Sequence, residues 1–238
     1  MFIRLLYILF SLTLCSSQNF SYSEDDWFII TSPNEITSIS KSYDEILFSS
    51  TNGIFAYDKL TDDFYFKHYL ISDYLNDKML VIHYDKFRDH IWILTDKVLI
   101  FKSSISSTWR EINFYDIELH SSNNIYNIGS NQDYIILESN TEYILIDPYT
   151  GSLVEDDNTI SMIQFDQINW SSSYRSSNNN STDLSSFFSL DDWSIINARQ
   201  LENRTRKLNV LTVFDDNDEN LWLGTDVGEI FVANKYSK

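Results

Sequence analysis

The sequence has few of the residues that interrupt or cross-link a polypeptide. Its 238 residues include 5 glycines, 2 prolines and 1 cysteine, Cys15. So little glycine and proline excludes collagen-like and Gly/Pro-rich low-complexity proteins. A single cysteine excludes a scaffold held together by internal disulfide bonds. The fold must therefore rest on hydrophobic packing, for which 16 phenylalanines, 15 tyrosines and 6 tryptophans supply the material.

Positive charge is also scarce. The chain has 17 lysines and arginines against 35 aspartates and glutamates, which gives a formal net charge of −18. A chain this acidic repels a phosphate backbone, so nucleic acid is excluded as a partner. The charge by itself identifies no other partner.

The only long apolar run is at the N-terminus. It extends from Leu5 to Leu14, follows Arg4 and is followed by Cys15, Ser16 and Ser17. A run of about ten residues is too short to span a bilayer, and this order is typical of a secretory signal peptide. We therefore predict a signal peptide at residues 1–17 and a mature domain at 18–238, exported to the periplasm, the cell surface or the medium. Lipid attachment at Cys15 is an alternative, because residues 12–15 have the general form of a bacterial lipobox.

Short apolar segments repeat along the rest of the chain with a period near 44 residues. Four of them are anchored at Ile46, Ile91, Ile135 and Leu221, separated by 45, 44 and 86 residues. The double gap predicts a degenerate unit with its anchor near residue 175. Each anchor segment has an apolar segment before it and after it, and the apolar residues are consecutive. This pattern predicts β-strands that are buried on both faces.

The ends of the repeat favour a closed ring. The last unit should end with an outer strand near residue 239, whereas residues 26–30 have the character of an outer strand with no unit before them. We therefore predict an all-β protein, a β-propeller of about five four-stranded blades closed by pairing of its N- and C-terminal strands. The alternative is an open or half propeller.

The last repeat resembles a known family. Residues 213–225, with the sequence VFDDNDENLWLGT, resemble the short repeat of two-component-regulator propellers, and residues 46–54 and 91–95 resemble it more weakly. The resemblance implies a secreted bacterial propeller that acts as an extracytoplasmic sensor or ligand-binding module. Members are often fused to a histidine kinase. No kinase, linker helix or adaptor domain is readable in these 238 residues, so we expect binding to be the property that carries over.

Candidate ligand-binding residues lie about two positions before each predicted inner strand. In a propeller these positions surround one mouth of the axial channel, where ligands commonly bind. The alternative is that short polar side chains there satisfy the backbone groups of turns. The residues are Asn34, Asp77, Asn123, Asn158 and Asn209.

No arrangement of residues indicates catalysis, a metal or a cofactor. Residues 215–220 resemble a calcium loop but lack its glycine and its bidentate glutamate, so we interpret them as a solvated turn. We interpret the polar residues 171–182 as an exposed loop. We expect a monomeric, non-catalytic protein that binds a small molecule, a glycan or a protein. The alternative is a glycan hydrolase or lyase that uses channel carboxylates such as Glu35 and Asp77.

Overall fold

A computed structural model describes most of the chain after Ser32. The described ranges are residues 33–67, 72–74, 76–103, 105–106, 108–119, 125–140, 142–154, 163–173, 193–197, 199–216 and 220–234. The predicted signal peptide and the predicted N-terminal closing strand at residues 26–30 lie outside these ranges. Among the helices in the described ranges, none combines the length and the apolar character needed to cross a bilayer.

The described residues form eighteen strands in four antiparallel sheets, together with three short 3-10 helices. The first three units contribute β1 (Ile36–Lys41), β2 (Glu45–Ser50), β3 (Gly53–Asp58), β4 (Asp63–Phe66), β5 (Met79–Asp85), β6 (His90–Thr95), β7 (Leu99–Ser103), β8 (Arg110–Ile112), β9 (Ile125–Ser130), β10 (Ile135–Ser139) and β11 (Tyr143–Ile146). The remaining strands are β12 (Asn169–Trp170), β13 (Ser172–Ser173), β14 (Ser194–Asn197), β15 (Gln200–Glu202), β16 (Lys207–Asp215), β17 (Asn220–Thr225) and β18 (Ile230–Asn234). The 3-10 helices are Ser72–Tyr74, Phe114–Ile117 and Phe165–Gln167.

Each sheet is one blade, built from strands that follow one another along the chain. The strand orders are β13-β1-β2-β3-β4, β5-β6-β7-β8, β11-β10-β9-β12 and β14-β15-β16-β17-β18. The inner strands are β1, β5, β9 and β16, and the strand that follows each of them contains a predicted anchor: Ile46, Ile91, Ile135 and Leu221. The fifth predicted anchor, near residue 175, lies outside the described residues. The prediction of an all-β propeller built from this repeat is therefore confirmed.

The blades also share a β-bulge, which lies in the inner strand of each one. The pairing register shifts by one residue in every inner strand, at Thr37, Leu80, Tyr126 and Leu211. A bulge of this kind bends a strand and increases its twist. The residue before the shift is Ile36, Met79, Ile125 and Val210 in the four blades, so these residues occupy equivalent positions.

Three hydrophobic clusters join the blades face to face. Leu47 and Ile54 of the first blade pack with Ile82 and Ile93 of the second. The second and third blades meet around Trp92, which stacks on Phe101 with ring centroids 4.2 Å apart.

The third cluster joins the fourth blade to the first. In it, Trp222 of the fourth blade packs on Phe48 and Tyr57 of the first, with ring centroids 5.8 and 5.0 Å apart. The blades thus follow the order fourth, first, second, third.

The third and fourth blades are not joined by such a cluster in the described part of the chain. The free face of the third blade packs against Ile168 and Trp170, from the segment that precedes β13. The corresponding face of the fourth blade packs against Trp193 and Leu201, from the β14–β15 hairpin. The described residues therefore form an open arc of four blades, and the predicted count of five is wrong.

The described parts of the region predicted to be the fifth blade are divided among three sheets instead. Strand β12 pairs with β9, β13 pairs with β1, and the β14–β15 hairpin extends the sheet at β16. An open arc leaves the backbone N–H and C=O groups of its inner edges without partners, and such groups are costly when buried. Short segments pair with the inner edges of β1, β9 and β16 in the described residues.

Candidate functional site

Residues 169–173 fill the centre of the arc, and we call them the plug. Ser171 and Ser173 are buried, which contradicts the interpretation of this part of residues 171–182 as an exposed loop. Asn127 Nδ2 donates to the carbonyl oxygen of Ser171 at 2.7 Å, and Ser171 Oγ donates to Asn127 Oδ1 at 2.7 Å. Ser172 Oγ donates to the carbonyl oxygen of Val213 at 2.5 Å. The plug is therefore held by side-chain hydrogen bonds to the third and fourth blades as well as by its strand pairing.

A buried histidine lies beside the plug. His83 in β5 is fully buried, and its Nε2 lies 2.9 Å from Ser130 Oγ at the end of β9. Its Nδ1 has no hydrogen-bond partner among the described residues. Burial lowers the pKa of His83 to about 4, against a smaller opposing effect of the Asp85 carboxylate. The imidazole is therefore neutral at pH 7, which fits its hydrogen bond to a hydroxyl group.

The carboxyl ends of three inner strands meet around a cavity of about 600 Å³. We call it the mouth cavity. It is lined by the ends of β1, β5 and β16, by the turns that follow them, by the plug and by the β3–β4 turn. Its lining residues are Lys41, Ser42, Tyr43, Lys59, Tyr84, Lys86, Ile168, Asn169, Trp170, Phe214, Asp215 and Asp216.

Two tyrosines form one wall of the mouth cavity. The rings of Tyr43 and Tyr84 meet edge to face at 5.7 Å, and Tyr43 Oη donates to the carbonyl oxygen of Lys86 at 3.0 Å. Tyr84 is buried, and its Oη donates to Asp89 Oδ1 at 2.5 Å. Burial, with the bond to Asp89, raises the pKa of Tyr84, so the phenol stays protonated. The plug joins this wall, because Asn169 Nδ2 donates to the Tyr84 carbonyl oxygen at 3.3 Å.

The cavity has more ammonium groups than carboxylates. Lys41 and Lys59 are half-buried and Lys86 is exposed. Lys41 Nζ donates to the backbone carbonyl oxygen of Asp216 at 2.6 Å. The buried carboxylate of Asp216 accepts the indole N–H of Trp222 at 3.0 Å and the backbone N–H of Asn220 at 3.0 Å. The Asp216 carboxylate is thus bound by residues at the end of the β16–β17 turn. This turn belongs to residues 215–220, which resemble a calcium loop.

A second depression, of about 620 Å³, lies on the other side of the β5–β6 turn. It has an amide-rich lining: Phe87, Asn131, Gln132, Asp133, Tyr134, Ile163, Gln164 and Gln167. Arg88 lies in that turn. Its Nη1 pairs with buried Asp85 at 2.8 Å and donates to the Asn131 carbonyl oxygen at 3.1 Å, so it fixes the turn of one blade to that of the next.

The predicted site residues that the structure describes lie at the opposite ends of the inner strands. Strands of six to nine residues separate the two ends by roughly 17–26 Å. Asn34 and Asn209 both lie at the β17–β18 turn, where Asn209 Nδ2 donates to Asp226 Oδ2 at 2.7 Å. A Cβ on Gly228 of that turn, which has φ +83°, would overlap the carbonyl oxygen of Asn34. Asp77 lies at the β6–β7 turn, paired with Lys97. Asn123 and Asn158 are outside the described residues.

A backbone clamp recurs where these residues lie. Asp96 Oδ1 accepts the backbone N–H of Lys78 at 2.9 Å, and Asp226 Oδ1 accepts that of Asn209 at 3.2 Å. The aspartate N–H returns a bond to the same residue's carbonyl oxygen in both cases, at 3.0 and 3.1 Å. The clamp fixes the start of an inner strand to a hairpin of its own blade, which favours the turn interpretation for this end of the strands.

The mouth cavity was missed because only the residues before the inner strands were considered. The same reasoning applied to the residues after those strands would have found Lys41, Tyr43, Lys86 and Asp215. Trp170 gives no comparable signal, because its position depends on the plug, which lies outside the repeat.

Known proteins resemble the chain in structure but not in sequence. No family model and no curated protein matches it. The extracellular domain of a protein assigned to a hybrid two-component system of B. thetaiotaomicron is 13% identical, with a TM-score of 0.47, over 90% of this chain and 35% of that one. The extracellular domain of a protein assigned to a one-component system of the same organism is 15% identical, with a TM-score of 0.40, over 87% and 28%.

A designed protein is also similar. The computationally designed Ika4 protein is 10% identical, with a TM-score of 0.38, over 87% of this chain and 95% of that one. The chain thus spans about a third of the two bacterial domains. The assignment of the fold rests on the four sheets themselves.

Proposed function

We propose that the chain is a non-catalytic, sensor-like binding module of an exported protein, and that it binds its ligand in the mouth cavity. The cavity carries this proposal. Its volume of about 600 Å³ is in the range of small-molecule sites. It also lies where the blades converge, which is a common position for ligand sites in repeat folds.

The lining supports binding because it is fixed before a ligand arrives. The Tyr43–Lys86 hydrogen bond joins the first and second blades, and Asn169 joins the plug to the second. Lys41 joins the first blade to the fourth. A site whose side chains are already held loses little conformational entropy on binding.

Export and the monomeric state are parts of the same proposal. They are supported by the apolar segment at residues 5–14 followed by small residues, and by the strong negative charge, which disfavours self-association. A cleaved N-terminus after Ser17 in the secreted protein would support export. A single species of one-chain mass in light scattering would support the monomer.

The alternative of a glycan hydrolase or lyase has less support. The carboxylate of Asp77 is paired with Lys97, so it already has a structural contact. We expect no turnover on a polysaccharide panel. Turnover that is lost in Glu35→Gln or Asp77→Asn, with the fold retained, would establish the alternative instead.

The binding proposal is tested with a matched pair of surface variants. The chain is first screened against arrays of glycans and small metabolites. Binding of any hit is then measured by calorimetry for Tyr43→Ala and for Tyr115→Ala. Both tyrosines are largely exposed, at 69% and 85%, but only Tyr43 lines the cavity. We expect Tyr43→Ala to weaken binding at least tenfold and Tyr115→Ala to leave it unchanged. Absence of any binder, or equal binding by both variants, would contradict the proposal.

A further inference from the structure

We infer that the second depression continues the mouth cavity, and that one ligand, an oligomer of acetamido sugars, occupies both. This inference rests on the proposed function and specifies its ligand class. The two hollows border each other at two places. Lys86 lines the mouth cavity, and the next residue, Phe87, lines the second depression. In the same way, Gln167 lines the depression and Ile168 lines the cavity.

The two hollows together have room for more than one small molecule. They measure about 600 and 620 Å³, and each volume alone is in the range of a small-molecule site. A ligand that fills both is therefore elongated. It also meets a lining whose chemistry changes from one end to the other.

Side-chain amides distinguish the second depression. Four of its eight lining residues carry one, whereas Asn169 is the only such residue among the twelve that line the mouth cavity. Three of the four are Gln132, Gln164 and Gln167, out of five glutamines in the whole chain. The fourth, Asn131, is already oriented, because its Oδ1 accepts two backbone N–H groups of its own turn at 2.9 and 2.7 Å. Amides offer N–H donors and a C=O acceptor, so a matching ligand carries both.

Two of the glutamines are paired in a way that complements one more amide group. Gln167 Nε2 donates to Gln164 Oε1. This bond keeps an N–H donor on Gln164 and a C=O acceptor on Gln167. An acetamido group supplies the opposite set, one C=O acceptor and one N–H donor on separate atoms. A hydroxyl group has to meet both glutamines through a single oxygen atom, so the pair favours an acetamido sugar over a plain one.

Apolar groups in both hollows fit the rest of such a ligand. Phe87, which is 38% exposed, and Ile163 offer carbon surface for the methyl of an acetamido group. In the mouth cavity, Tyr43 and Trp170 present aromatic rings. Aromatic rings pack on flat apolar surfaces such as the C–H face of a sugar ring.

The second depression favours a sugar over a peptide. All eight of its lining residues lie outside the strands, in two turns and in the segment that contains the 3-10 helix Phe165–Gln167. A peptide bound in an extended conformation commonly adds to the edge of a sheet. These lining residues offer no strand edge, and a sugar needs none.

The inference is tested by calorimetry with matched sugars. Chitotetraose and cellotetraose share a β-1,4-linked glucose backbone and differ at C2, which carries an acetamido group in the first and a hydroxyl group in the second. We expect chitotetraose to bind at least tenfold more tightly than cellotetraose, because only the first can bond to the glutamine pair in this way. We also expect it to bind at least tenfold more tightly than chitobiose, which is too short to fill both hollows.

A matched pair of helix variants locates the effect. Gln164→Ala/Gln167→Ala removes two lining amides, and Asp166→Ala changes an exposed residue between them that does not line the depression. We expect the first to bind chitotetraose at least tenfold more weakly and the second to bind it within twofold of the unaltered chain. Tyr43→Ala should also weaken this binding, because the other end of the ligand lies in the mouth cavity. A Tm within a few degrees of the parent confirms that each variant is folded.

The outcomes separate this inference from the proposed function. The inference is overturned if chitotetraose does not bind, if it binds no more tightly than cellotetraose or chitobiose, or if the two helix variants bind it equally. Another ligand whose binding is lost in Tyr43→Ala would then leave the proposed function standing. A peptide that loses binding in Gln164→Ala/Gln167→Ala, while chitotetraose fails to bind, would assign the depression to a protein partner instead. Chitotetraose binding that is insensitive to Tyr43→Ala would overturn both.

Discussion

His83 is a fully buried histidine among the inner strands, where serine and threonine side chains supply most of the polar groups. Its Nε2 contacts Ser130 Oγ, and its Nδ1 has no partner among the described residues. A protonated imidazole would have to bury a charge and a second N–H donor at this position. The low pKa of about 4 follows from that cost.

The shift makes the stability of the protein depend on pH. The folded pKa lies below the ordinary value of 6.5, so the contribution of His83 is fully present above pH 6.5 and is lost as pH falls toward 4. The unfolded chain binds the proton that the folded chain rejects, and 2.5 pKa units correspond to roughly 3 kcal/mol. We expect this loss in urea unfolding measured at steps from pH 7.5 to 4.

Substitution of His83 isolates its part of the pH dependence. His83→Gln keeps a hydrogen-bonding group near Ser130 but does not titrate. We expect its unfolding free energy to fall less steeply than that of the parent between pH 6.5 and 4. His90→Gln is the control. Burial also lowers the pKa of His90, but this histidine is only partly buried, so its substitution should change the pH dependence less. Parallel pH profiles for the parent and His83→Gln would contradict the prediction.

At the scale of elements, the plug is held by the pair Asn127 and Ser171. The two side chains and the Ser171 carbonyl oxygen form a reciprocal set of hydrogen bonds, each 2.7 Å long. Two-residue strands such as β12 and β13 make few ladder bonds of their own. These side-chain bonds therefore fix the position of Trp170, which lines the mouth cavity.

Asn127→Asp tests this dependence with almost no change in shape. The change replaces the N–H donor that faces the Ser171 carbonyl oxygen with a carboxylate oxygen, in a site where Asn127 is buried. We expect a loss of at least about 2 kcal/mol in the unfolding free energy, since a buried charge would face an acceptor. Hydrogen exchange should accelerate at residues 169–173 before it does in β5–β7.

A second asparagine provides the control. Asn131 lies in the β9–β10 turn, where its Oδ1 accepts the backbone N–H groups of Asp133 and Tyr134 at 2.9 and 2.7 Å. An aspartate accepts the same two bonds, so Asn131→Asp should leave stability and exchange nearly unchanged. Equal effects of the two variants would show that the plug does not depend on Asn127.

The regular elements could be predicted from sequence because they repeat. Segments such as those at Ile46, Ile91 and Ile135 are buried on both faces, and consecutive apolar residues record that burial directly. The plug could not be predicted in this way. Its serines resemble a loop in composition, and they are buried only because inner edges and Asn127 supply hydrogen bonds from more than 40 residues away in sequence.

The number of blades could not be predicted for a related reason. Spacing predicted a fifth unit near residue 175, and the described parts of that region occupy the corresponding place in the arc without forming a sheet of their own. Trp193 and Leu201 pack on the fourth blade, and Ile168 packs on the third. Sequence spacing measures chain length between units, whereas the partner of each strand depends on which edges are left open.

At the scale of the whole arc, Trp222 joins the fourth blade to the first. Its indole packs on Phe48 and Tyr57, and its Nε1 donates to Asp216 at the mouth cavity. Within the described residues, the fourth blade has one blade neighbour, so its attachment depends on this cluster more than that of the first or second blade does. Nearest-neighbour contacts of this kind allow an end unit to unfold separately.

We therefore expect Trp222→Ala to separate the fourth blade from the rest. The loss of a buried indole should cost about 3–5 kcal/mol, and unfolding in urea should change from one transition to two. Hydrogen exchange should accelerate in β16–β18 and at the facing residues of β2, while β6 and β10 remain protected. Trp193→Ala, which removes an indole from the other face of the same blade, should destabilise the fourth blade without exposing β2. A single transition with uniform acceleration in Trp222→Ala would mean that the arc unfolds as one cooperative unit.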